Sequence, residues 1–95
     1  MRIVWLMRAR REFNHHIRYI GVQNPTAAIE QDSLISQAIE RLSLYPNSGK
    51  SGRRRNTREL VIPHTPFVAI YRVVDAQDQV HILRILHSSQ KWPPE

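Results

Sequence analysis

The stretch TRELVIPHTPFVAIYRVVDAQDQVHILRILH, residues 57 to 87, decides the fold. It contains three runs rich in β-branched and other apolar residues, which predict strands over Thr57 to Ile62, Phe67 to Val74 and Val80 to His87. The two segments between these runs are short and rich in turn-forming residues, so each predicts a hairpin connection. The stretch therefore predicts an antiparallel meander of three strands.

The preceding residues predict one strand and two helices. Arg2 to Met7 is rich in Ile, Val and Trp, which is typical of a strand, and apolar residues then recur at helical spacing from Ala9 to Ile20. Asn24-Pro25 predicts the start of a second helix, extending to about Leu44, because Asn caps free N–H groups and Pro fits a first turn. Two helices so closely connected lie nearly antiparallel. We expect residues 1–95 to form one α+β domain of order β-α-α-β-β-β, with the N-terminal strand and helical hairpin packed on a curled antiparallel sheet.

The charge of the chain is concentrated in one segment. The 95 residues include 14 Lys and Arg and 8 Asp and Glu, a formal net charge of +6. No acid lies between Glu40 and Glu59, whereas this segment contains six basic residues, a number that equals the whole net charge of +6. These are Arg41, Lys50, Arg53, Arg54, Arg55 and Arg58. Such a block indicates an anionic partner, either nucleic acid or an acidic protein surface, and the alternative is a solvated basic loop.

Composition excludes several classes of protein. The chain has no cysteine, which rules out disulfides and thiolate metal sites. Its N-terminal apolar run, Ile3 to Met7, is far too short for a signal peptide or a membrane span. His15 and His16 are adjacent and point apart on a helix, and no helical His pair at four-residue spacing occurs. We therefore expect a cytoplasmic protein with no membrane association, metal or cofactor.

Arginines are interleaved with apolar residues inside the predicted strands, at Arg58, Arg72 and Arg84. Regular alternation places Arg84 on one face with Val80, Ile82 and Leu86. A charge in the middle of a strand is costly to bury unless it is paired. These side chains either reach the sheet edge and pair with acids, or project towards a phosphate or carboxylate. The acids considered as partners are Glu59, Asp75 and Asp78.

His87 ends the last predicted strand, where an imidazole can transfer protons near pH 7 or simply cap or pack against the strand end. No nucleophile elbow, phosphate-binding loop or carboxylate pair is present. An enzyme with these residues would be a metal-free ribonuclease. In it, Arg72 and Arg84 would stabilise the phosphoryl group and His87 would protonate the leaving 5′-oxygen, but a general base is missing. A non-enzymatic alternative is a basic nucleic-acid-binding module.

Five segments, in this order and spacing, closely resemble the RelE/ParE superfamily of toxins from bacterial type II toxin-antitoxin modules. They are Asn24 to Ala28, Leu42 to Arg53, Thr57 to Val61, Pro66 to Val73 and Ile82 to His87. The resemblance covers essentially the whole chain and implies a growth-arresting toxin with the fold predicted above. It also implies a cognate antitoxin whose acidic C-terminal segment wraps and neutralises the toxin. The resemblance further implies that the toxin reaches DNA only indirectly, through the antitoxin.

The superfamily divides by target: RelE-like and YoeB-like toxins cut mRNA at the ribosome, whereas ParE-like toxins inhibit DNA gyrase. His87 is similar to a C-terminal histidine of some cutters, but no Tyr follows it, and Pro66-Phe67-Val68 stands where YoeB-like cutters carry a catalytic Arg. Thr57 to Leu60 and Leu86-His87 are more similar to the ParE branch. We therefore expect a ParE-like gyrase inhibitor, with a ribosome-dependent mRNA endoribonuclease as the alternative.

The two readings assign different residues. Arg72, Arg84 and His87 are catalytic only if the protein is an endoribonuclease. The cluster in the basic segment is expected to bind the target or the antitoxin in either case. It comprises Arg53, Arg54, Arg55 and Arg58.

Overall fold

Two helices pack on one face of a five-stranded sheet in the computed structural model, which describes residues 1–94. The strands are β1 (Arg2–Trp5), β2 (Lys50–Ser51), β3 (Arg58–Val61), β4 (Phe67–Val74) and β5 (Gln79–His87), and the helices are α1 (Met7–Gln23) and α2 (Pro25–Glu40). The predicted α+β class and element order are confirmed, with the two-residue β2 as an addition. No helix within residues 1–94 is both long and apolar enough to cross a membrane.

The helical hairpin begins its second arm where the sequence predicts. The Asn24 side chain accepts a hydrogen bond from the Ala27 N–H at 3.0 Å, and Pro25 is the first residue of α2. The α-helix ends at Glu40, earlier than predicted, and a single 3₁₀ turn at Arg41–Ser43 continues the chain. The hairpin is therefore capped as expected and only its last turn differs in geometry.

The sheet has the strand order β1-β5-β4-β3-β2. The meander of β3, β4 and β5 is antiparallel, as predicted. β1, which was expected beside the hairpin and packed on the sheet, is itself an edge strand of the sheet: it lies parallel to β5 with Arg2 opposite Gln79, so the complete sheet is mixed. β2 lies at the other edge of the sheet and pairs only with Arg58 and Glu59 of β3. The remainder of β3 is left with an open edge.

A single apolar cluster joins the hairpin to the sheet. Tyr71, Ile82 and Leu42 are fully buried within it. The other buried members come from both helices and from β4, β5 and the turn after β3. They are Ala9, Phe13, Ile35, Ile39, Ile62, Phe67, Ala69, Val80 and Ile85. Removing this much apolar surface from water is the main force that holds the hairpin against the sheet.

A β-bulge in β5 determines which face of the sheet Arg84 occupies. Ile70 pairs with Arg84 but Tyr71 pairs with Ile82, which leaves Leu83 as an extra residue. One extra residue reverses the alternation of side chains beyond it. Val80 and Ile82 thus face the helices, whereas Arg84 faces away. The expectation that Arg84 shares their face was wrong, because the bulge has no local signature in the sequence. The face turned away from the helices is called the far face below.

Candidate functional site

The basic segment from Arg41 to Arg58 crosses the β2 edge of the sheet. Arg41 follows α2 on the helix side, Lys50 lies in β2, and Arg53 to Arg55 form a loop that reaches the far face. Arg58 is used within the fold, since its guanidinium Nη1 donates to the Gly49 carbonyl at 2.8 Å and the Asn47 carbonyl at 3.3 Å. The six predicted cations therefore do not form one patch but are distributed along the edge and both faces.

The arginine loop is held by specific hydrogen bonds. The buried Glu59 carboxylate accepts the Arg53 backbone N–H at 3.0 Å, and the Thr57 hydroxyl donates to the Arg54 carbonyl at 2.6 Å. The Arg53 guanidinium donates to the Trp92 carbonyl at 2.6 Å. Arg53 thus ties the loop to the C-terminal segment, while the Arg54 and Arg55 side chains remain exposed.

Arg84 forms a bidentate ion pair that sequence reasoning missed. Its guanidinium Nε and Nη2 donate to the Glu12 carboxylate, at 2.7 Å for the shortest contact, and only 14% of the Arg84 side chain is exposed. None of the three acids considered from the sequence is the partner. Glu12 lies 72 residues away on α1, so no local pattern could indicate the pair. Its carboxylate offsets the Arg84 charge.

The structure brings Arg72 and Arg84 together but separates both from His87. Arg72 is exposed on the far face and lines the same cleft as Arg84. His87 pairs with Phe67, whereas Arg72 lies five positions further along β4. At ~3.3 Å per residue Arg72 is ~17 Å from His87 along the strand, and Arg84, three positions before His87 in β5, is ~10 Å from it. The three candidate catalytic residues therefore do not surround one reacting phosphate.

The surroundings of His87 are those of a packed strand end. Its Nδ1 accepts a hydrogen bond from the Ser89 N–H at 3.0 Å and lies 2.7 Å from the Ser89 hydroxyl. Its ring meets the Phe67 ring edge-on, with 5.6 Å between centroids. These contacts match the capping and packing alternative considered from the sequence.

An open cleft on the far face, called here the arginine cleft, collects cations from distant parts of the chain. Its volume is about 790 Å³. The lining residues are Leu6, Arg8, Arg54, Arg55, Thr57, Arg72, Leu83, Arg84, Trp92 and Pro94. The Trp92 ring is flanked by Arg54 and Arg84, whose guanidinium carbons lie 5.4 Å and 5.3 Å from its centroid. No motif in the sequence marks Arg8 or Trp92, and only the fold brings them to the same cleft as the arginine loop.

A second concave surface, called here the apolar groove, runs between α2 and the open edge of β3. Its volume is about 600 Å³. The lining residues are Leu34, Ala38, Arg41, Tyr45, Ser48, Leu60, Val61, Pro63 and His64. Tyr45 and Val61, which are 63% and 60% exposed, lie together in this lining and give it an exposed apolar surface. Arg41 and His64 place basic groups in the lining.

Two polar residues of α1 complete the edge of β5 beyond β1. Glu12 accepts the Ile85 N–H at 3.1 Å, and His16 Nε2 donates to the Ile85 carbonyl at 2.9 Å. Burial lowers the pKa of His16 from its usual 6.5, and the bond to the carbonyl opposes this effect. Within residues 1–94, no three His, Cys, Asp or Glu side chains are grouped so as to hold a metal ion.

Comparison with known proteins identifies the family. The model of the ParE toxin of the type II toxin-antitoxin system parDE matches residues 3–92. Y4kP, a candidate toxin of Sinorhizobium fredii strain NGR234, is 38% identical over 92 residues, which are 97% of this chain and 93% of Y4kP. Toxin RelE1 of Caulobacter vibrioides is 32% identical over 87 residues, 90% of each chain.

Solved structures show the same fold. A chain from the chromosomal ParDE toxin-antitoxin system of Pseudomonas aeruginosa superposes with a TM-score of 0.80 at 22% identity, over 92% of this chain and 95% of the other. A chain from the RelBE2 toxin-antitoxin complex of Mycobacterium tuberculosis gives a TM-score of 0.61 at 24% identity, over 90% and 95%. On the family model and the sequence relatives together, the protein belongs to the ParE toxins of type II toxin-antitoxin systems, within the RelE/ParE superfamily.

Proposed function

We propose that this protein arrests bacterial growth by inhibiting DNA gyrase, without catalytic turnover, in the cytoplasm. The observation that carries the proposal is the separation of His87 from Arg72 and Arg84. An endoribonuclease needs an acid, a base and cationic groups around one phosphodiester. Here His87 is bonded to Ser89 and packed on Phe67, and the Arg84 charge is offset by Glu12. Membership of the ParE family supports the same function.

The second candidate function is ribosome-dependent cleavage of mRNA. It is favoured by the relative named RelE1 and by the presence of both Arg72 and Arg84 in the lining of one basic cleft. Positive groups of this kind can stabilise a crowded phosphoryl group. This function requires His87 as the acid, which separates it experimentally from gyrase inhibition.

We further propose that a cognate antitoxin covers the apolar groove. Tyr45 and Val61 are the exposed apolar residues there, and Arg41 is the adjoining cation. A segment that alternates apolar and acidic residues matches both features. The open edge of β3 also offers backbone groups to an extended segment.

Gyrase inhibition is tested with purified wild-type protein and the variants His87→Ala and His64→Asn. We expect the protein to block supercoiling or trap cleaved DNA, and both variants to inhibit within about twofold of wild type, since neither histidine has a role in non-catalytic inhibition. His64 is the control, as an exposed histidine away from the strand end, and asparagine tolerates its left-handed backbone, with φ of 65°.

Inducing the same variants in cells, with mapping of mRNA 5′-ends, separates the two functions. Codon-positioned cuts that disappear only in His87→Ala, with gyrase unaffected, would establish the ribonuclease and overturn the gyrase proposal. A wild-type protein that leaves growth unchanged, although it is produced and folded, would overturn both.

A further inference from the structure

The arginine cleft carries positive charge that the fold does not neutralise. Within the part of the chain that the structure describes, residues 1–94, no Asp or Glu lines it. Among residues 1–94, the acids form ion pairs with Arg84 and Arg53 but not with the exposed Arg8, Arg54, Arg55 and Arg72. These four side chains come from the first turn of α1, the loop before β3, and β4. Like charges gathered from separate elements cost free energy by mutual repulsion, which an anionic ligand relieves.

The cleft is also pre-organised. Trp92 is held by the hydrogen bond from Arg53 to its carbonyl, and the indole ring contacts the Arg54 guanidinium. A cation–π contact fixes a guanidinium but leaves its charge in place. The Thr57 hydroxyl bond to the Arg54 carbonyl fixes the backbone of the same residue. Less side-chain entropy is therefore lost when Arg54 binds an anion.

The lining combines these cations with apolar surface. Leu6, Leu83 and Pro94 lie beside Trp92 in the cleft. A single-stranded nucleic acid presents one phosphate per nucleotide together with unstacked bases, whose faces are apolar. Guanidinium groups bind phosphate in a bidentate manner, and all the cations of the cleft are arginines. An acidic peptide matches the charge but offers no repeating aromatic surface.

From these features we infer that the arginine cleft binds the sugar-phosphate backbone of a single-stranded nucleic acid directly. Arg8, Arg54, Arg55 and Arg72 contact phosphates, and the apolar lining contacts bases. This inference goes beyond the proposed function, because inhibition of gyrase does not by itself require the toxin to touch nucleic acid. It also differs from the expectation that DNA is reached only through the antitoxin.

The test is fluorescence anisotropy of labelled dT12 and rU12 with the purified full chain across a salt series. Contacts to four phosphates predict that log Kd rises by ~3 for each tenfold rise in salt, at ~0.7 per contact. Replacing both Arg55 and Arg72 with Gln should weaken binding about 25-fold at 0.1 M salt and lower the slope by ~1.4. The matched control replaces Arg11 and Arg18, two exposed arginines of α1 that do not line the cleft.

Several outcomes overturn the inference. These are absence of binding, a flat salt dependence, and equal weakening by the cleft and control variants. Binding of a labelled poly-glutamate 12-mer in preference to both oligonucleotides, lost in the cleft variant, would make the cleft a protein-binding surface. A preference for dT12 or for rU12 supports the inference and identifies the natural strand. Because the assay contains no gyrase, its result is independent of the gyrase measurement.

Discussion

The hydroxyl of Tyr71 connects the core to the segment that carries the basic residues. It donates to the Pro46 carbonyl at 2.7 Å and accepts the Gly49 N–H at 2.9 Å. Burial raises the pKa of this phenol, so it remains protonated and able to donate. A Cβ at position 49 would lie 2.7 Å from the same hydroxyl, which is why glycine is required there. One side chain thus fixes the turn before β2.

Tyr71→Phe should lower the free energy of unfolding by about 1–3 kcal/mol, because it leaves two backbone groups without their partner. Chemical denaturation measures this value. Tyr19→Phe is the control: that tyrosine is 65% exposed, and a change within about 0.5 kcal/mol is expected. Equal stability of the two variants would show that water replaces the Tyr71 hydroxyl without cost.

At the scale of elements, side chains of α1 take the place of a neighbouring strand along part of β5. β1 pairs with β5 only from Gln79 to Ile82, yet Ile85 is fully buried further along the same edge. Glu12 and His16 lie one helical turn apart on α1. The Glu12 carboxylate accepts the Ile85 N–H, and the His16 ring donates to the Ile85 carbonyl. An unpaired backbone group buried here would cost about as much as a lost hydrogen bond. The helix therefore protects an edge that would otherwise be open.

This arrangement predicts a pH-dependent stability. The pKa of His16 is lower in the folded protein than its usual 6.5, so the fold favours the neutral ring. Its contribution is complete above pH ~6.5 and is lost as the pH falls from there through the lowered value. The melting temperature of the wild type should consequently fall between pH 7.5 and 5.5, and His16→Gln should reduce that fall because the amide can still donate to Ile85.

The control for this prediction is His64→Gln, which removes an exposed histidine outside the β5 edge. It should retain the wild-type fall in melting temperature. If His16→Gln and the wild type show the same change over this pH range, another group is responsible for it.

The elements that could be predicted are those with local signatures. Asn24-Pro25, the apolar spacing of the helices and the turns flanking β4 fix the hairpin and the meander. By contrast, the pairing of β1 with β5, the Leu83 bulge and the Glu12–Arg84 ion pair depend on contacts far apart in sequence. The arginine loop is visible in the sequence as a run of positive charge, but its position in one cleft with Arg8 and Trp92 follows from the tertiary structure alone.

At the scale of the whole molecule, the basic segment links two different surfaces. The apolar groove lies on the helix side of the β2 edge, and the arginine cleft lies on the far face. The first has exposed apolar residues beside the cation Arg41, and the second has four arginines that form no ion pair with an acid of the described residues. In the two proposals above, an antitoxin and a single-stranded nucleic acid can therefore each occupy a surface of matching chemistry.

If the antitoxin covers the apolar groove, Val61→Asp should weaken its binding by about tenfold or more, since a charge at the centre of an interface is poorly tolerated. Calorimetry with the cognate antitoxin, once it has been identified, measures this. Val22→Asp is the control, at a valine that is 86% exposed and outside the groove lining. Equal affinity of the two variants would place the antitoxin elsewhere.

The parallel pairing of β1 with β5 has a consequence for synthesis on the ribosome. Arg2 pairs with Gln79, 77 positions later in the chain (79 − 2), so the first strand has no partner until the last one has emerged. The arginine cleft needs Leu83, Arg84 and Trp92 as well. Domains generally fold as units once their sequence is available. A nascent chain therefore lacks the completed cleft until Trp92 has left the ribosome, so a ligand of the cleft can bind only after that point.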